Sequence, residues 1–199
     1  MINSASAMTK VWDGFIRVFH WSLVGTFAAL YVTSHMGMEN THILLGYLLT
    51  LLIVARIVWG FIGSKYARFG NFIYHPGRAL TYLKNTFKGQ PEHYFGHNPA
   101  GAMMVFAVLI SLLILTVSGL TLEATVEYEG PLLTFLYWMS DNSVFLWQET
   151  HHLMSNAMLA LIALHLIGVV SASFQHRENL VRAMITGYKP TYNKEPIHD

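Results

Sequence analysis

Four stretches of about twenty apolar residues, each almost free of charge, constrain this chain more than any other feature. They run from Phe15 to Met36, Ile43 to Ile62, Ala102 to Leu122 and His152 to Phe174. A helix crosses the hydrocarbon of a bilayer in about 20 residues, and an open sheet edge in lipid would leave backbone polar groups without partners. Each stretch is therefore expected to be a transmembrane helix, with spans at about 15–36, 43–62, 102–122 and 150–174. The composition agrees: 53% of residues are hydrophobic and 12% charged, too few polar side chains to cover a soluble domain of this size. The expected fold is all-α, an integral membrane four-helix bundle, with residues 1–199 forming a single domain. The chain has no cysteine, which excludes disulfides, thiolate-held iron–sulfur clusters, cysteine zinc sites and covalent c-type haem attachment. The first apolar run is a full span opening with Arg17 and His20. It has no small-residue cleavage site after a short core, so it is expected to be retained rather than removed as a signal peptide.

The basic residues set an orientation. Lys10 and Arg17 precede or open the first span, and Arg56 lies late in the second. Lys65, Arg68, Arg78, Lys84 and Lys88 fill the loop between spans two and three, and Arg177, Arg182, Lys189 and Lys194 follow span four. The other two loops hold no lysine or arginine, but carry Glu39, Glu123, Glu127, Glu129, Asp141 and Glu149. The positive-inside rule then makes both termini and the long second loop cytoplasmic. The location expected is a bacterial inner membrane, crossed several times. Within the cytoplasmic loop, Pro76 and Gly77 precede an amphipathic stretch from Arg78 to Phe87, expected to lie along the inner membrane surface. Pro131 to Met139 is apolar but too short to span, and is expected in the outer interface.

Eleven histidines are present, and an ionisable side chain inside a span is a functional hypothesis by default. His151 and His165 are 14 residues apart, which returns them to within about 40° of one helix face, with a rise of roughly 21 Å. One helix thus presents two imidazoles, one near each membrane surface. A single metal ion cannot use both, because metal–nitrogen bonds are about 2 Å long. Depth along the helices pairs His20 with His165 near the inner side and His42 with His151 near the outer side. Two bis-histidine planes suit haem, which takes imidazole on both axial positions and lies flat between helices. The alternative is that the histidines are satisfied by hydrogen bonds between helices. Gly46, one turn after His42, leaves room for a porphyrin or serves ordinary close helix packing. Arg56 is 14 residues after His42, where it could neutralise a propionate of the inner haem or snorkel to the interface. His35 lies 15 residues after His20 and about 60° off its face, and so competes with His42 as outer ligand. His152 is turned about 140° away from His165. His75, His93, His97, His176 and His198 fall in the inner loop or after span four, most of them expected in solvent.

These residues resemble the bacterial cytochrome b561 and nickel–iron hydrogenase b-type cytochrome family over nearly the whole chain, Val11 to about Tyr188. The carriers are Arg17-Val18-Phe19-His20-Trp21, His42 with Gly46-Tyr47, Arg56-Ile57-Val58-Trp59-Gly60, and Tyr66-Ala67-Arg68-Phe69. Gly96-His97-Asn98-Pro99-Ala100-Gly101-Ala102, His151-His152-Leu153 and His165 complete them. The resemblance implies two haem b groups on His20, His42, His151 and His165, and electron exchange between a membrane quinone and an outer redox protein. That partner would be a c-type cytochrome, an iron–sulfur protein or a hydrogenase-like enzyme; no nucleic acid is implied. Similarity to the membrane b subunits of formate dehydrogenases around Asn98 to Gly101 implies an inner quinone pocket beside His165. The same Asn-Pro pair reads locally as a helix cap. Two other functions compete: a self-contained oxidoreductase passing electrons from superoxide or a small reductant to quinone, and a haem-free carrier or assembly protein.

Overall fold

The computed structural model describes residues 8–90 and 92–191. Met1 to Ala7, Lys194 and His198 lie outside the described residues. In chain order the elements are strand β1 (Met8–Lys10) and helices α1 (Gly14–His35), α2 (Glu39–Ile62), α3 (Pro76–Phe87) and α4 (Pro99–Leu122). Then come α5 (Leu133–Leu136), α6 (Asp141–His176), α7 (Leu180–Thr186) and strand β2 (Tyr188–Pro190). Helix α4 runs on through a π turn, Glu123–Glu127. Four of these, α1, α2, α4 with its π turn, and α6, are long and apolar enough to cross a membrane.

Local chemistry sets the helix ends. Asp13 Oδ1 accepts the backbone N–H of Ile16 at 2.8 Å and so caps α1. At α3, His75 accepts the N–H of Gly77 with Pro76 in the first turn. Asn98 accepts the N–H of Gly101 at 2.7 Å, and Pro99 opens α4, so the Asn-Pro cap expected from the sequence is present. Asn179 caps α7 by accepting from Arg182 N. Helix α7 stops at Gly187, whose φ of +91° favours glycine; a Cβ there would come within 2.6 Å of the Trp12 carbonyl oxygen. The four long helices cover the expected apolar stretches except Met36, and each begins before its stretch does. Helix α2 starts at Glu39 and α6 at Asp141, because polar first turns are good helix starts that a search for apolar runs passes over. Pro131 to Met139 forms only the single turn α5, with Phe135, Tyr137 and Trp138 exposed.

The chain divides into two compact units. Unit two, residues 19–57 and 106–163, takes a length of each long helix. They pack around Leu30, Leu49, Ile53, Leu112, Leu115 and Met158. Its outward positions are also apolar, as at Leu44 (67% exposed). That pattern fits lipid as the solvent, where close packing rather than exclusion of water holds helices together.

Unit one comprises residues 1–18, 58–105 and 164–199. It is built around Val11, Trp12, Ile16, Ala67 and Ala183, with Phe15 stacked on Trp59 at 4.6 Å. Here β1 and β2 pair antiparallel, Met8 opposite Pro190 and Lys10 opposite Tyr188. Val11 N and Trp12 N continue the seam by donating to the Gly187 carbonyl, and Arg17 donates to Ile185 O at 2.7 Å. Asp13 also accepts from Trp59 Nε1 and Ser64 Oγ, joining the start of α1 to the end of α2. Burial pushes the Asp13 carboxyl up, but these hydrogen bonds outweigh it and leave the group below its ordinary value.

Candidate functional site

Unit two contains a cavity of about 440 Å³ lined from α1, α2, α4 and α6. Into it project His42 from α2 and His151 from α6, their ring centres 6.4 Å apart and their planes at 73°. The His42 Nδ1 lies 3.0 Å from the Leu30 carbonyl oxygen. A carbonyl can only accept, so Nδ1 carries the proton and Nε2 keeps a free lone pair. The His151 Nδ1 lies 2.8 Å from Ser118 Oγ. The Ser118 hydroxyl already donates to Leu115 O at 3.0 Å, so it accepts from His151, again leaving Nε2 as the open lone pair. Both rings are therefore fixed in the tautomer a metal needs, each by a partner behind it.

The spacing tests the fit. Two metal–nitrogen bonds of about 2 Å, plus about 1.1 Å from each nitrogen to its ring centre, require roughly 6.2 Å between centres. The observed 6.4 Å leaves room for one metal ion between the two imidazoles. Glycines clear the walls. A Cβ on Gly46 would meet nothing within 4 Å, and one on Gly119 would meet His151 Cε1 at 3.5 Å. The remaining lining is largely apolar, including Phe27, Leu30, Leu49, Leu115 and Leu120. Tyr47 donates its hydroxyl to the buried Glu123 at one edge, and Tyr31, Ser34 and His35 form another. The donor set, clearance and lining suit a bis-imidazole tetrapyrrole.

The other expected site residues have these places. His20 is on α1 in unit two, half-buried and edge-on to Trp21 at 5.1 Å. Arg56, late in α2, is buried at 4% exposure. His165 belongs to unit one and lies on the same uninterrupted helix as His151. Asn98 and Gly101 form the capped first turn of α4 in unit one. His35 also borders the cavity, but its Nδ1 bonds to Tyr31 O at 2.8 Å and its ring lies on Tyr31 at 4.2 Å. It is His42 that faces His151. Not all the loop histidines are left to solvent. The His93 Nε2 donates to Glu178 at 2.6 Å, and His97 packs against Trp12 and Phe72 at 4.8 and 4.5 Å. Ser118, Gly119 and the Tyr47–Glu123 pair are not among the residues that spacing picks out. Their roles depend on which helices become neighbours, although Tyr47 directly follows Gly46.

Residues 11–187 match the family described as prokaryotic cytochrome b561. Among curated relatives, the probable Ni/Fe-hydrogenase B-type cytochrome subunit of Rhizobium leguminosarum bv. viciae is 24% identical, covering 93% of this chain and 90% of that one. The protein of that name in Rhodobacter capsulatus is 24% identical, covering 90% and 80%. The probable Ni/Fe-hydrogenase 1 B-type cytochrome subunit of Escherichia coli (strain K12) is 21% identical, covering 90% and 89%.

Proposed function

The chain belongs to the prokaryotic cytochrome b561 family, a family of helical membrane electron carriers, and from that premise we propose that it holds two haem b groups and passes electrons between a quinone pool and an outer-side redox partner. The observation that carries this reading is the facing pair His42 and His151, 6.4 Å between ring centres, each with Nδ1 already bonded. These two hold the outer haem. His20 and His165 hold the inner one, a pairing that rests on their depths along α1 and α6. When bound, haem supplies a one-electron iron couple. The chain's own residues do the rest. Leu30 O and Ser118 Oγ keep the outer imidazoles in register, and Gly46 clears the ring's face. Arg56 lies in the register that balances a propionate of the inner haem. Asn98 and Gly101 offer an amide and a close approach to backbone where a quinone carbonyl would dock. The relatives' names include the Ni/Fe-hydrogenase, which makes a hydrogenase-like enzyme the leading partner class, in a bacterial inner membrane with the termini in the cytoplasm.

Haem counts on variants test the ligand assignment. Wild type should carry two haems per chain. His42→Ala and His151→Ala should lose one and the same haem, while His20→Ala and His165→Ala lose the other. Loss of the same redox component from His20→Ala and His151→Ala refutes the pairing. Asn98→Leu should slow haem reoxidation by quinone with both haems still bound and reducible by dithionite; a wild-type rate places the quinone elsewhere. Quinone reduction by the purified chain from superoxide or another small donor, with no partner added, replaces the subunit reading with a self-contained oxidoreductase.

A further inference from the structure

Helix α3 carries two apolar surfaces, and the fold uses only one of them. Ala79 and Tyr82 are buried, 2% and 5% exposed, with Tyr82 edge-on to Tyr94 at 5.8 Å. Leu80, Leu83 and Phe87, the stripe that the sequence spacing picks out, are left uncovered, Leu80 at 69% and Phe87 at 88% exposure. At 100° per residue, Ala79 and Tyr82 lie about 80° and 140° from Phe87 on one side, and Lys84 and Lys88 about 60° and 100° from it on the other. Both lysines are exposed. Arg78 is on the far side, over the Tyr74 ring at 5.4 Å. Round the helix, the order is thus a face buried in the protein, an uncovered apolar stripe and a basic margin.

Water is a poor neighbour for that stripe, and a bilayer is close by. Helix α3 lies between α2 and α4 in the chain, and unit one holds it together with the adjoining ends of both. Large apolar side chains beside lysines let a helix lie in the plane of a membrane interface. The apolar groups then enter the acyl region while the lysine stems reach up to the headgroups. The charge selects the lipid. From Asn40 to Pro91 the chain has no acidic residue, and Glu92 is bonded by the Tyr94 hydroxyl at 2.7 Å, on the Tyr82 side. We propose that α3 is a surface anchor for anionic phospholipid, inserting Leu80, Leu83 and Phe87 into the leaflet at this end of the spans, with Lys84 and Lys88 against its negative headgroups. The anchor does not depend on what occupies the cavity of unit two.

The chain has no cysteine, so a single nitroxide can be placed on Leu80→Cys or Thr81→Cys in the full chain. Each labelled chain is reconstituted in nanodiscs of phosphatidylcholine, with or without phosphatidylglycerol. Thr81 is exposed and about 120° round from Phe87. Collisions with oxygen, which concentrates in lipid, and with a nickel chelate, which stays in water, report the surroundings of the label. In anionic discs oxygen access should exceed nickel access at Leu80, and the reverse should hold at Thr81. Lys84→Gln combined with Lys88→Gln should raise nickel access at Leu80 at least about fivefold in anionic discs, since each lysine near such a surface contributes roughly that factor. The same pair of substitutions should change nothing in phosphatidylcholine discs. Nickel access at Leu80 equal to that at Thr81 overturns the proposal, as does an anionic-disc signal indifferent to the lysines. Dipolar broadening between Leu80 labels that disappears when labelled chains are diluted with unlabelled ones means that a second copy covers the stripe, and overturns it too.

Discussion

A single hydroxyl shows how much of this site is made by residues that line up behind the imidazoles. Ser118 accepts from His151 at 2.8 Å while donating to Leu115 O, and so decides which imidazole nitrogen is left open. Outer partners of this kind are typically worth about 10–100-fold in metal affinity. Ser118→Ala should therefore release haem at least about tenfold faster to a soluble haem-binding protein, affecting one haem only, with Ser118→Thr close to wild type. An equal rate in the alanine variant means the ring is held by packing alone. At this scale the sequence is legible where spacing along one helix carries the information. The 14-residue interval from His151 to His165 puts two imidazoles near one helix face, and the glycine one turn after His42 lines the cavity. What cannot be read there is contact between helices. No interval relates Ser118 to His151 or Tyr47 to Glu123, and the choice between His35 and His42 depends on which ring faces α6.

The elements are legible in their apolar centres and hidden at their ends. Helix α6 has 36 residues, about 54 Å at 1.5 Å per residue, well beyond the roughly 30 Å of hydrocarbon. Its first turns, Asp141 to Thr150, are mixed in polarity and therefore escape a search for apolar runs. The start of α1 depends on Asp13, which caps the helix and also accepts from Trp59 and Ser64. Asp13→Ala should cost about 1–2 kcal/mol in a reversible unfolding measurement, and Asp13→Asn, still a cap, less. The Asp13 carboxyl is held below its ordinary 3.8. Its ionised form therefore contributes stability that is complete above the unfolded value and lost as pH falls through the folded one. Wild type should lose this increment on acidification below about pH 4, while Asp13→Asn shows no matching step. An identical acid response in both chains removes Asp13 from the account.

For the whole molecule, the placement of charge along the chain is enough to indicate an orientation, since eleven of the twelve basic residues lie before, between or after the spans on one side or at their margins. A reporter fused after Asp199 should be active in the cytoplasm, and fusions near Glu39 and Glu127 should be active in the periplasm. The reverse pattern contradicts the positive-inside argument. The ion cluster of unit one is not legible in the same way, because Glu178, His93 and Lys189 come from three separate segments. Glu178 accepts from His93 at 2.6 Å and has Lys189 at 3.7 Å, with the Glu178 and Lys189 side chains 3% and 7% exposed. Burial pushes the Glu178 carboxyl up, but the His93 hydrogen bond and the Lys189 charge overcome it and leave the group below its ordinary value. Removing one member of a buried pair costs about 3–5 kcal/mol, because the other charge is left uncompensated. Glu178→Ala should show a loss of that order, and Glu178→Ala with Lys189→Met should recover much of it; no recovery means the pair is not coupled.

The ribbon of β1 and β2 also orders events in time. Met8 to Lys10 leave the ribosome long before Tyr188 to Pro190 exist, so the first strand stays unmatched while all four spans enter the bilayer. Its partner follows the last span in the chain, and the Gly187 carbonyl that Val11 and Trp12 bond arrives with it. A chain halted after Thr186 would retain every histidine assigned to haem, yet its leading strand would never be stitched down. The seam thus closes only once the segment that follows the last span has been made.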